Sequence, residues 1–237
     1  MAFITREYKV SINDIDKHAV CTKKSVLKFF ETTACEHSDL AGYGIGDIER
    51  TKKSWILLQW KVTFYDYPKY GDVVLVKTWA RDTDAFTSYR DFILSNKKGK
   101  IFAVASSKWA FIDVEKGLIK IGSVIQDNYN PETDCVFEDR TFTKFNAPEG
   151  LTDALSYQVL PHDIDVNDHM HNLNYLDLAT DALEKFDFGD YKKMQILYKA
   201  QVKCGDNLTV KVGSENGQIF AVIYNGEKVS AIIKFYN

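Results

Sequence analysis

The stretch DIDVNDHMHNLNYLDLATDAL, Asp163 to Leu183, decides how this chain is organised. Asp, Asn and His occupy every second position of its first half, and an apolar helical pattern follows. With His162 just before it, the region holds three of the chain's five histidines. Polar groups at that density are costly in a core strand. Near the N-terminus DIDKHAV, Asp14 to Val20, reads as a second copy of the same start.

Two further matches follow in the same order. PKYGDVVLVK from Pro68 pairs with VKCGDNLTVK from Val202, and GKIFAVASSKW from Gly99 pairs more loosely with GEKVSAIIKFY from Gly226. The separations are 149 residues (14 to 163), 134 (71 to 205) and 127 (99 to 226). They shrink steadily, which implies a duplicated unit with shorter connections in its second copy.

Each copy begins with a helix. Over residues 22–41, Val26, Phe29, Phe30, Thr33, Ala34, His37 and Leu40 share one face. GYGIG, Gly42 to Gly46, ends it. That run follows a helix rather than a strand, which argues against a dinucleotide fingerprint. The second helix uses Tyr175, Leu176, Ala179, Ala182, Leu183 and Phe186.

About four strands follow each helix. The first set starts at Trp55, Asp72, Phe86 and Lys100, and the second at Gln195, Asn207, Gln218 and Lys228. The fold class is therefore α+β: two tandem helix-plus-antiparallel-sheet units with their sheets joined edge to edge. The expected boundaries are 1–122 for the first unit, 123–150 for a connector holding Pro131 and Pro148, and 151–237 for the second.

Composition narrows the class. A net charge of −3 gives no basic field for nucleic acid. Aromatic residues at 14% suit strands or an apolar cavity. The four cysteines form no C-x-x-C pair, so reduced thiols in a cytoplasmic protein are expected. MAFITREYKV lacks a signal-peptide pattern, and no apolar run is long enough to span a bilayer.

A duplicated helix-plus-sheet unit with D-x-N-x-H-x-x-N before its second helix resembles the acyl-acyl-carrier-protein thioesterases, which are double-hotdog enzymes. The matching residues are Asp165, Asn167, His169 and Asn172, then Tyr175. WKVTFYDYPKYGDVVLVKTWA, Trp60 to Ala80, resembles that family's strand–turn–strand, and DRTFTKFNAPEG, Asp139 to Gly150, its connector. The resemblance covers nearly the whole chain.

It implies hydrolysis of the thioester between a fatty acyl chain and the phosphopantetheine arm of acyl carrier protein, with no cofactor or metal. It implies Asp165, Asn167, His169 and the position of Gln201 as catalytic, and Asn172 and Tyr175 as substrate-binding. The family has an acid at the Gln201 position. The partner implied is the carrier protein, which is acidic; Lys23–Lys24, Lys52–Lys53, Lys97–Lys98 and Lys192–Lys193 are candidate docking pairs. Either a monomer or a homodimer is compatible.

Thioester hydrolysis needs a positioned water, a base and donors for the oxyanion. An imidazole titrates near neutrality and suits the base. Gln201 cannot be a nucleophile or base, but it can hold a water or donate to the carbonyl. The base is then Asp165 or His169, and water activation by that pair, with Asn167 and Gln201 positioning, is the favoured scheme. If the loop is extended, alternation puts Asp165, Asn167 and His169 on one side. A helix starting near Asn172 would offer free amides.

The plainer alternative is that Asp165 and Asn167 only form a turn and cap the helix. His162, His169, His171 and Asp165 show no recurring zinc spacing. In the first copy Asp16, His18 and Val20 stand at the positions of Asp165, Asn167 and His169, so that copy lacks the imidazole. It is expected to be noncatalytic, with Phe29, Phe30, Trp55, Trp60 and Phe64 as candidate walls of an acyl tunnel. The rivals are an acyl-CoA thioesterase, a hotdog dehydratase and a non-enzymatic acyl-binding protein.

Overall fold

The computed structural model describes residues 2–184, 186 and 191–237. The chain divides into two compact units, Met1–Leu58 with Val62–Thr141, and Gln59–Lys61 with Phe142–Asn237. Each is built on one long helix and an antiparallel sheet, as expected.

The first unit runs β1 (Phe3–Lys9), α1 (Lys23–Leu40), the single turn α2 (Ile48–Thr51), β2 (Lys53–Phe64), β3 (Val73–Thr83), β4 (Thr87–Ser95), β5 (Ile101–Asp113), β6 (Gly117–Leu118) and α3 (Val124–Tyr129). Its strands lie in the order β1-β3-β4-β5-β2, with β6 beside β5. Thr22 starts α1 by accepting the Ser25 amide at 3.1 Å on its hydroxyl. The apolar stripe of α1 is buried as its spacing predicts, except Leu40 at the helix end. Phe30 meets Phe92 of β4 with ring centroids 5.0 Å apart. Burying two such rings stabilises the unit by about 1.5–3 kcal/mol each.

The second unit contains β7 (Thr152–Gln158), α4 (Asn174–Glu184), β8 (Lys193–Tyr198), β9 (Asn207–Glu215), β10 (Gln218–Asn225) and β11 (Lys228–Tyr236). These strands lie in the order β8-β11-β10-β9-β7, every neighbouring pair antiparallel. Ile219 to Ile223 are all buried because both faces of β10 are covered. Phe145, Ala147 and Leu151 pack on Phe220, Val222 and Ile232. The alternate residues Ile219, Ala221 and Ile223 belong to the opposite face, and α4 also packs on β10. Phe186, expected in this helix, lies beyond it in an exposed turn.

Two strands escape the sequence pattern. FITREYK in β1 and TDALSYQ in β7 are broken up by charged and polar residues and bury little of themselves. Each pairs along one edge only within its unit, β1 with β3 and β7 with β9. The connector is also more ordered than its composition suggests. The Trp79 indole donates to Asp134 O at 3.0 Å, and the Val136 amide donates to Asp91 Oδ2 at 2.9 Å.

The duplicated KYGD and KCGD turns match bond for bond. The Lys69 amide donates to Asp72 Oδ2 at 2.8 Å, and the Lys203 amide to Asp206 Oδ2 at 2.9 Å. The Gly71 amide donates to Val10 O, and the Gly205 amide to Val159 O. Both glycines are left-handed, with φ of 83° and 88°. A Cβ at Gly205 would meet nothing within 4 Å, so only backbone strain opposes one. Gly205→Ala is expected to lower unfolding free energy by about 1–2 kcal/mol in a denaturant titration. An unchanged midpoint would show that the turn tolerates a side chain.

Candidate active site

The loop before α4 is built around a buried carboxylate. Asp163 is 6% exposed. Its Oδ2 accepts the Leu160 amide and the Tyr157 hydroxyl, each at 2.8 Å, and its Oδ1 accepts the Asn174 side-chain amide at 3.2 Å. The bond to Asp163, with burial and its charge, pushes the Tyr157 phenol up to about 12. The Asp163 carbonyl accepts the His171 amide at 2.8 Å. One residue thus ties the end of β7, the loop and the start of α4 together.

Asp165 opens a closed turn rather than an extended run. Its Oδ1 accepts the Asn167 amide at 2.8 Å and the His169 amide at 3.4 Å. Its own amide donates to His169 O at 2.8 Å, and Asp168 is left-handed at φ 59°. The alternation expected of an extended loop is therefore absent; the side-chain acceptor folds the backbone back on itself. The first copy does the same. Asp16 Oδ1 accepts the His18 amide at 2.8 Å and the Val20 amide at 3.1 Å, and Ala19 has φ 60°.

The loop is then pinned to the segment after β8. The Met170 amide donates to Val202 O at 2.8 Å, and its counterpart Cys21 donates to Pro68 O at the same distance. That bond joins the immediate sequence neighbours of His169 and Gln201. Gln201 itself is exposed, three residues past the end of β8. The rings and amides of His169, Asn167 and Gln201 hold no hydrogen bond among the described residues. His169 is half-buried and Asn167 is exposed.

The helix start is occupied differently from expectation. α4 begins at Asn174, not Asn172. His171 engages two amides there: Leu173 N donates to its Nδ1 at 3.3 Å, and Asn174 N to its carbonyl at 2.9 Å. Those amides are not open for an oxyanion. Asn172 accepts the Tyr198 hydroxyl on its carbonyl at 3.0 Å, and its side-chain amide has no partner among the described residues.

Tyr175 is buried with its ring 5.6 Å from that of Tyr198, edge to face. Burial first, then the Asp206 and Asp165 carboxylates, raises its phenol. Asp163 and Tyr198 are the supporting residues that the motif did not single out. Asp163 stood in the repeated DID, and its duplication was the available signal. Among the described residues no group of three or more His, Cys, Asp and Glu side chains could hold a metal ion.

The geometry separates two roles for neighbouring aspartates. Asp163→Ala strips a buried carboxylate from three donors and is expected to cost about 2–4 kcal/mol of stability, read by chemical denaturation. The loss should also appear as faster amide exchange at His171. A variant as stable as the wild type would show that the loop does not depend on this residue.

Comparison with known proteins identifies the lineage. The acyl-ACP thioesterase N-terminal domain matches residues 2–130, and the acyl-ACP thioesterase C-terminal domain matches residues 148–235. An oleoyl-acyl carrier protein thioesterase of Arabidopsis thaliana, chloroplastic by name, is 24% identical over 223 residues. The match covers 86% of this chain but 59% of the plant protein's length. The solved acyl-ACP thioesterase of Bacteroides thetaiotaomicron superposes with a TM-score of 0.84 at 20% identity, covering 99% of this chain and 97% of that one. The 12:0-ACP thioesterase of Umbellularia californica gives 0.83 at 16% identity, covering 99% and 96%. These superpositions show the double-hotdog fold. With both of its halves matched, the chain belongs to the acyl-ACP thioesterase family.

Proposed function

We propose that this protein hydrolyses the thioester of fatty acyl-acyl carrier protein and releases a free fatty acid. The observation that carries the reading is the imidazole of His169. It is half-buried, unbonded among the described residues, and mounted on a turn whose backbone Asp165 holds. A base kept free of internal partners on a fixed backbone suits proton transfer to an incoming water.

In this scheme the His169 ring takes a proton as a water oxygen attacks the thioester carbonyl carbon. The Asn167 and Gln201 amides donate to the oxyanion that forms. The carbon–sulfur bond then breaks, and His169 returns the proton to the departing thiolate. The products are the fatty acid and the carrier's free thiol. Asp165 acts through the turn it closes. Asn172 and Tyr175 belong to the substrate-binding side of the scheme.

The first unit is noncatalytic in this reading, because Val20 stands at the imidazole position. It has a cavity of ≈ 80 Å³, and of the expected tunnel residues Trp55 lines it. Phe29, Phe30 and Phe64 are sealed into the core instead. Among the lysine pairs proposed for carrier docking, Lys97 is held by Glu7 at 2.6 Å.

The test is a panel of acyl-carrier-protein and acyl-CoA substrates over a range of chain lengths. Wild type is expected to release fatty acid from the carrier-bound substrates. His169→Ala should lower kcat/KM by roughly 10²–10⁴-fold, and Gln201→Ala by roughly 10²-fold. Neither should shift the denaturation midpoint much. No hydrolysis of any thioester would remove the enzymatic reading, and equal turnover of acyl-CoA would remove the carrier-specific one.

A further inference from the structure

The first unit buries two arginines and treats them differently. Arg81, at the end of β3, is 2% exposed and stands 3.6 Å from Asp91 and 3.8 Å from Asp82. Its Nη2 also donates to Arg140 O at 3.0 Å. Arg90, on β4, is 6% exposed and has no carboxylate partner among the described residues. Its Nη1 bonds His37 Nδ1 at 2.9 Å and Thr78 Oγ1 at 3.4 Å, both neutral acceptors. The Tyr129 ring lies 5.6 Å from its guanidinium carbon.

A guanidinium stays charged even in a cavity. Burial lowers the Arg90 pKa, but from an ordinary value far above neutrality. Its surroundings supply no anion among the described residues. Burial pushes the Cys35 thiol up to about 11 and raises the Tyr129 phenol, so both stay protonated at neutral pH. An isolated buried charge of this kind is costly unless something compensates it.

Arg90 keeps one edge of its guanidinium unbonded and lines a cavity from which compensation could come. Nε and Nη2 donate to no internal partner among the described residues. They are also not among the sealed, unpartnered polar atoms, which include Gln59 Nε2, Arg81 Nε and Gln195 Oε1. Arg90 lines the ≈ 80 Å³ cavity. Its walls include Ile45, Ile48, Trp55 and Ile125, which suit an alkyl segment. Nε and Nη2 are the edge of a guanidinium that grips a carboxylate with two parallel bonds.

We propose that this cavity is a binding subsite for a carboxylate carried on an alkyl chain, gripped by the Nε and Nη2 edge of Arg90. The carboxylate comes either from the head of a free fatty acid or from the far end of a dicarboxylic acyl chain. Binding is read without hydrolysis, so this inference and the thioesterase reading stand or fall separately.

The experiment follows tryptophan fluorescence, since Trp55 and Trp109 both line the cavity. Octanoate and 1-octanol are titrated into wild type, Arg90→Met, Arg90→Lys and Trp55→Phe. Wild type is expected to bind octanoate at least about tenfold more tightly than the alcohol. Arg90→Met should lose that preference, Arg90→Lys should keep part of it, and Trp55→Phe should lose most of the signal. Equal binding of acid and alcohol by wild type overturns the proposal, whether or not Arg90→Met folds. So does a preference that survives in Arg90→Met.

The source is separated in a second arm, with the coenzyme A half-thioester of octanedioic acid set against octanoyl-CoA. Tighter, Arg90-dependent binding of the half-thioester supports the chain-end carboxylate. Competition by octanoate without that difference supports the free-acid head.

Discussion

A carboxylate buried at the start of a loop is costly unless donors meet its oxygens, and Asp163 has three donors, from the end of β7 and from α4. The Leu160 amide and the Tyr157 hydroxyl bring in the end of β7, and the Asn174 amide brings in α4. The loop between them has little freedom left. Everything proposed for the second unit hangs on that tie. It fixes where the Asp165 turn begins and where α4 starts. The first unit solves the same problem at Asp14, which is 3% exposed and accepts the Ser11 amide at 2.8 Å and the Lys28 ammonium.

Duplication makes the division between scaffold and chemistry visible. The Asp16 and Asp165 turns share their acceptor pattern and their left-handed residue, so the turn alone is a structural device. What differs is the residue that ends it, Val20 in one unit and His169 in the other. The copy with the imidazole leaves it without a partner among the described residues. That imidazole makes no hydrogen bond that would steady the fold among the described residues, and the proposed scheme gives it the proton transfer.

Much of the fold was legible because the repeat constrained it. The α1 stripe, the KYGD and KCGD turns and the order of the later strands follow from spacing and turn chemistry. β1 and β7 were not legible, because charged and polar residues interrupt FITREYK and TDALSYQ and neither strand buries a continuous face. The ordering of the connector was hidden for a related reason. Its bonds to Trp79 and Asp91 are made with backbone groups, which leave no mark in the sequence. In the candidate site the residue types could be read, but not their geometry. An Asp two residues before an Asn suggests either a row of side chains or a closed turn, and only the backbone distinguishes them. The role of His171 at the helix start was illegible for the same reason, since its ring and carbonyl act on nearby amides.

The central claim is that Asp165 works by closing the turn that carries His169, and that His169 carries the proton. Comparing kcat/KM on an acyl-carrier-protein substrate for Asp165→Asn and Asp165→Ala tests it most directly. An Asn oxygen can still accept the two amides, whereas Ala cannot. The account expects Asp165→Asn to stay within about tenfold of wild type, and Asp165→Ala to fall by roughly 10²–10³-fold. If the two variants are equally inactive while both remain folded, the carboxylate charge itself does the chemistry and the account is wrong.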